Sequence, residues 1–224
     1  MKALLYKEFK LAMHPICYVF LFAFPFMILI PSYPLGVGFI YILTCYPILF
    51  LGANKGQQSN DLLFSTLLPV RKKDIVLARI MTVAIMQIVF MLIMSALAPL
   101  SYFIQTKMPP EISIPGLGLN GFVSVLGIAL IGFSIADLIF FPIYYKRGKS
   151  IVMSTLLMIF GFMLYIAIFI VVLPLIPGLE WYKNFFEGAI WVQIIVLVVS
   201  LVIYVVIHFF VYKISAKELE KVDF

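Results

Sequence analysis

The chain has 224 residues, 64% of them hydrophobic and only 12% charged, with a mean hydropathy of +1.15. A soluble domain carries about 25% charged residues, so this composition excludes a protein that covers itself with a water-facing surface. The formal charge of +6 does not indicate a nucleic-acid partner, because the basic residues fall in short runs between apolar stretches, as topology signals do.

A membrane-crossing helix needs about 20 apolar residues, which leaves room for six crossings and no separate soluble domain. The predicted fold is all-α: a polytopic membrane protein, residues 1–224 forming one transmembrane domain with six spans. The opening resembles a signal peptide, with Lys2, Lys7 and Lys10 before an apolar run. That run ends in Pro31-Ser32-Tyr33-Pro34 without a small-residue cleavage site, and another apolar stretch follows at once, so it is read as a span.

Residues 1–14 are read as an interfacial elbow helix, with Leu5, Phe9, Ala12 and Met13 on one face and Lys7 and Lys10 away from it. The spans are Ile16–Pro31, Leu35–Ala53, Ile80–Ile104, Gly121–Tyr145, Ile151–Leu173 and Ile190–Tyr212. The first is short: it borrows Leu11–His14 or lies at an angle. A single bent segment over the first two would leave five spans. Basic residues collect in four segments: the amino terminus, the second-to-third loop with Lys55, Arg71, Lys72, Lys73 and Arg79, the fourth-to-fifth loop with Lys146, Arg147 and Lys149, and the tail with Lys213, Lys217 and Lys221. In a six-span chain all four share one side, and the positive-inside rule places both termini in the cytosol. The outer side then holds 174–188, where Trp181, Tyr182, Phe185 and Phe186 suit the headgroup layer.

The longest cytosolic segment, 54–79, predicts a short helix from Leu62 to Leu68. Asp61 caps its free amides and Pro69 stops it. Leu62, Leu63, Phe64, Leu67 and Leu68 are apolar residues on the cytosolic side and need cover. Two readings stand: a helix lying among lipid headgroups, or a knob docked in a groove of a partner protein. Asp74 is placed to cap the following helix.

Asp137 is the only acidic residue inside a span. It has three readings: a hydrated position near the cytosolic face, a structural pair with a base such as Arg79, or a gating or substrate role. His14 and His208 are read as interfacial, since neither has a ligand set. Cys17 and Cys45 lie in apolar segments and make no framework. Gly116-Leu117-Gly118-Leu119-Asn120-Gly121 matches a dinucleotide-binding pattern but no strand precedes it. Gly148-Lys149-Ser150 matches the end of a phosphate-binding loop whose first glycine is replaced by Ile143. No nucleotide-binding domain, catalytic motif or metal motif is present, so no cofactor is expected on this chain.

Asn60 to Val76 with Ala78-Arg79, Phe141 to Lys146 with Gly148-Lys149, and the opening Leu5-Tyr6-Lys7-Glu8-Phe9 together carry a likeness. The chain resembles the permease subunits of ABC-2 type exporters over its whole length. The compact six-span branch that exports phenol-soluble modulins and related amphipathic peptides is the nearest in kind. The resemblance implies a multi-pass protein of a bacterial cell membrane that works in pairs with a second copy or paralogue. It implies a separate ABC ATPase carrying ATP and Mg. It assigns coupling to that ATPase to Asp61, Leu62, Leu63, Phe64, Leu67, Leu68, Pro69, Arg71 and Lys72, with a smaller contact at Lys146 and Lys149. The expected cargo is an amphipathic peptide or lipid-like molecule. A non-transporting accessory or immunity subunit is the rival reading, and an intramembrane enzyme a weaker one, since only Asp137 could serve it.

Overall fold

A computed structural model describes residues 2–13, 15–29, 70–107, 122–147, 151–168 and 189–221. The expected second span, the short helix at 61–68, Lys149 and the outer segment 174–188 lie outside the described residues. Every described element is a helix.

Helix α1 (Lys2–Lys7) widens into a π turn over Glu8–Ala12, closed by the amide of Met13 donating to the Glu8 carbonyl at 2.9 Å. Helix α2 (Pro15–Ala23) then starts on a proline, whose missing amide costs nothing at the first helical position. It tightens to a 3-10 turn over Phe24–Leu29, because Pro25 cannot donate and disfavours α geometry in the residue before it. Lys2–Lys10 and Pro15–Phe26 meet at 82°. Leu11 and Ala12 belong to the π turn of the elbow, so a span that runs back through them is bent there. The elbow's buried side also differs from expectation: Leu4 and Lys7 are buried with Met13, because Lys7 has an anionic partner there.

Helix α3 (Lys72–Lys107) runs 36 residues, about 54 Å at 1.5 Å per residue, well beyond a hydrocarbon core of about 30 Å. Its first turn holds Asp74, inside the helix rather than at its cap: the Asp74 amide donates to the Arg71 carbonyl at 2.9 Å. The carboxylate still favours the helix start through the backbone dipole. Helices α4 (Phe122–Arg147), α5 (Ile151–Ala167) and α6 (Ile190–Glu220) complete the described set. By length and composition α3, α4 and α6 can each cross a membrane, and the bent amino-terminal pair makes a fourth candidate.

Helix α4 is the axis of the bundle. Phe133, Ala136, Phe140 and Phe141 are buried there among Met86 and Phe90 of α3, Met158 and Phe162 of α5 and Tyr204 and Val211 of α6. Cross-contacts fix the directions. Phe90 meets Phe133 edge-on at 6.4 Å, and Gln87 reaches Asp137, so α3 and α4 run antiparallel. Tyr165 donates to the Ile128 carbonyl at 2.9 Å while Gly161 lies under Ile139, so α5 opposes α4 too. Gly127 sits against Ser200 and Asp137 against His208, so α4 and α6 are parallel. The start of α3 and the ends of α4 and α6 consequently share one end of the bundle. The elbow joins them there through Glu8 and Arg79.

Lipid is as apolar as leucine, so close packing matters more here than apolar burial itself. Gly127 is where α4 and α6 approach: a Cβ on it would stand 2.9 Å from Ser200 Oγ, 3.2 Å from the Leu197 Cα and 3.3 Å from the Val196 carbonyl. Two of these are backbone atoms that cannot rotate away. Gly127→Leu is expected to cost about 3 kcal/mol or more, given roughly 1–3 kcal/mol for ordinary overpacking. Reversible unfolding in mixed micelles reads this directly. A parent-like stability would mean that α4 and α6 are not in contact at that point.

Candidate functional site

Within this apolar bundle, four polar side chains from three helices converge. Asp137 on α4 is wholly buried at 0% exposure, and Gln87 on α3 at 1%. The Gln87 amide Nε2 donates to Asp137 Oδ2 at 3.0 Å, and its Oε1 accepts from the Tyr204 hydroxyl at 2.6 Å. His208 Nε2 lies 2.9 Å from the same Asp137 Oδ2, with a side chain 11% exposed. The approach is oblique, off the best hydrogen-bond line, so the contact is electrostatic as much as directional. One turn back along α6, the Tyr204 carbonyl lies 2.8 Å from His208 Nδ1, and the two rings lie 4.0 Å apart.

The helix periods make this convergence. Tyr204 and His208 are four residues apart and share a face, and that face meets α3 and α4 because Gly127 lets α6 come close. In apolar surroundings each unpaired polar group would cost several kcal/mol. The Gln87 amide and the Tyr204 hydroxyl each have a partner here, and His208 faces Asp137 as a charge neighbour, so the cluster ties α3, α4 and α6 together.

Asp137 is buried, and the base beside it is His208 rather than Arg79. Arg79 is eight residues from Gln87, about 12 Å along α3, and its Nε donates to Glu8 Oε2 at 2.8 Å. His208, read as interfacial, is the aspartate's neighbour, with a side chain 11% exposed. The sequence does flag Gln87 and His208 as rare polar residues in apolar spans. It does not say that they meet.

A second buried charge cluster stands at the foot of α3. Glu8 is 4% exposed and takes Arg79 on one oxygen and Lys7 on the other, at 3.6 Å. Tyr18 donates to the Phe9 carbonyl at 2.6 Å, which occupies a backbone acceptor of the π turn and fixes α2 to the elbow.

Of the residues expected to couple to an ATPase, three are described. Arg71 precedes α3 and is exposed, with its Nε 3.7 Å from Asp74. Lys72 opens the helix. Lys146 is exposed near the end of α4 and lies close enough to act on Glu218 of α6, which also accepts from Lys221 at 2.6 Å. These three lie at the same end of the bundle as the elbow. The structure does not bring Asp137 into that group.

The model of the family described as ABC-2 family transporter protein matches residues 3–218, which takes in the elbow, all six described helices and both polar clusters. The chain belongs to the ABC-2 transporter family. No curated protein and no solved structure matches it. As an ABC-2 permease it is a multi-pass membrane protein, and members of this family are typically non-catalytic membrane subunits whose ATPase is a separate partner. In this ABC-2 permease the two buried clusters have distinct positions. The Asp137 cluster ties spans to one another, and the Glu8 cluster ties the elbow to the helix that leaves the segment 54–79.

Proposed function

We propose that this chain is the permease subunit of an ATP-driven exporter, moving an amphipathic peptide or lipid-like molecule out of a bacterial cell. A separate ABC ATPase binds ATP and Mg. The permease works beside a second copy or a paralogue, and Asp61–Leu68 is the helix that docks on the ATPase, with Lys146 and Lys149 making a smaller contact. The family match across residues 3–218 carries this reading.

The geometry supports it at two points. A push on the segment 54–79 enters the membrane through α3, and the Glu8–Arg79 pair makes the elbow move with the foot of that helix. Several polar groups of the described spans are already engaged: Ser95 donates to Met91, Ser134 to Leu130, and Gln87 to Asp137. Few remain to solvate an ion, which favours a cargo with a large apolar surface. The bundle end that bears Arg71, Lys146, Lys217 and the elbow is the cytosolic one by the positive-inside rule.

Docking makes a specific demand. Phe64→Glu and Leu67→Glu are expected to leave membrane insertion intact and to weaken co-purification of the ATPase at least tenfold. A charge buried without a partner in an apolar groove costs several kcal/mol, and 1.4 kcal/mol is already tenfold. A helix lying in the headgroups would tolerate both changes without loss of the partner. Retention of the ATPase at parental level, with parental ATP turnover and a Lys107 substitution as control, would remove the docking assignment.

A further inference from the structure

The Asp137 cluster contains a proton whose presence follows from the hydrogen bonds. A carbonyl oxygen only accepts, so the 2.8 Å contact with the Tyr204 carbonyl places a hydrogen on His208 Nδ1. Gln87 is oriented by its two partners: its Oε1 takes the Tyr204 hydroxyl, and its Nε2 gives to Asp137. That leaves His208 Nε2 facing Asp137 Oδ2 at 2.9 Å. A neutral imidazole with hydrogen on Nδ1 presents a lone pair there, and an ionised carboxylate presents another. Two lone pairs facing each other at that distance repel in a medium that screens poorly. One proton must lie between them, as an imidazolium beside a carboxylate or as a carboxylic acid beside a neutral ring.

The surroundings add no competing charge among the described residues. Helix α3 offers the neutral Gln87, and its nearest cation, Arg79, is engaged by Glu8. Helix α5 carries no Asp, Glu, Lys, Arg or His from Ile151 to Ala167, and its Tyr165 donates to the Ile128 carbonyl. On α6 the Tyr204 hydroxyl is held by Gln87, and Lys213 lies over the Phe209 ring at 4.6 Å. On α4 the next charge is Lys146, nine residues on, about 13 Å along the helix.

We propose that Asp137 and His208 form a proton-carrying latch that holds α4 to α6 and, through Gln87, to α3, and that opening the latch releases one proton to water. The closed pair holds one proton. The opened pair, hydrated, becomes a carboxylate and a neutral imidazole above about pH 6.5, and together they hold none. Stability of the closed form therefore falls as pH rises above about 6.5, tenfold in the equilibrium per pH unit for one proton. Between about pH 4 and 6.5 the opened imidazole also keeps a proton, and the dependence vanishes. Any rearrangement of these spans during transport then becomes easier in a more alkaline compartment. The inference goes beyond the permease reading and does not depend on the ATPase.

The test uses the full chain alone, so its failure leaves the permease reading intact. Reversible unfolding in mixed micelles is followed from pH 5 to 8.5 for the parent and for Asp137→Asn. With Gln87 flipped to accept from the new amide and to donate to the Tyr204 hydroxyl, that amide donates to the bare Nε2 without a shared proton, so the variant keeps the contact and loses the proton. The ratio of the parent's unfolding constant to the variant's should rise about tenfold per pH unit across the whole range: above about 6.5 because the parent loses its proton on opening, and below because the variant's opened imidazole gains one. Parallel curves would overturn the latch. Should the variant fail to fold, nitrogen and carbon magnetic resonance of the parent in nanodiscs at pH 8 decides instead. The expected signals are either a His208 ring protonated on both nitrogens or a protonated Asp137 carboxyl. A neutral ring together with an ionised carboxylate would refute the proposal.

Discussion

Asp137→Ala is expected to destabilise the chain by about 3–5 kcal/mol, the range for removing one member of a buried ionic pair. The substitution leaves the Gln87 amide and the His208 ring facing a methyl group in a buried site. His208→Ala should cost about as much, since it strips the aspartate of its neighbour. The double variant should cost far less than the two together, because each single change already breaks the same contact. Hydrogen bonds between membrane helices average about 0.6 kcal/mol in such cycles, with about 1.7 as the largest. A coupling above that ceiling would show that the pair shares a charge rather than an ordinary bond. Additivity within about 0.5 kcal/mol would mean that the two residues do not meet.

Glu8→Ala is the second large effect, expected at about 3 kcal/mol. Glu8 is the anion between two cations, Lys7 and Arg79. Without it those cations are left together at the foot of α3, and the elbow loses its tie to that helix. Glu8→Gln, which keeps an acceptor for the Arg79 Nε, should cost less than the alanine. The exchange Glu8→Arg with Arg79→Glu should recover part of the loss, since an anion at 79 would still meet the cations at 7 and 8. In the assembled transporter Glu8→Ala should also lower stimulation of the ATPase. An alanine variant with parental stability and parental stimulation would show that the elbow is held by apolar packing alone.

Much of this molecule was legible before any fold was in hand. The stretches at 80–104, 121–145 and 190–212 are apolar enough to name as spans, and long helices take in 80–104, 122–145 and 190–212. The polar partners were another matter. Asp137 was visible as an isolated acid, with Arg79 as one example of a base for it, yet the two belong to different clusters. Glu8 looked like one charge on an interfacial helix. A partner 71 positions away made it the centre of an ion cluster.

The sequence by itself determined the solvent, the helical class and the family. Hydropathy and helical periodicity are local properties, summed over about 20 residues, and the family pattern runs along nearly the whole chain. Tertiary structure alone decided which polar groups meet. Gln87 and Tyr204 are 117 positions apart, and their bond depends on the rotation and depth of two helices relative to a third. A helix turns by 100° per residue, so a register change of one position would aim His208 away from Asp137. That register is set where Gly127 admits α6 against α4, by a contact between backbones that no single segment encodes.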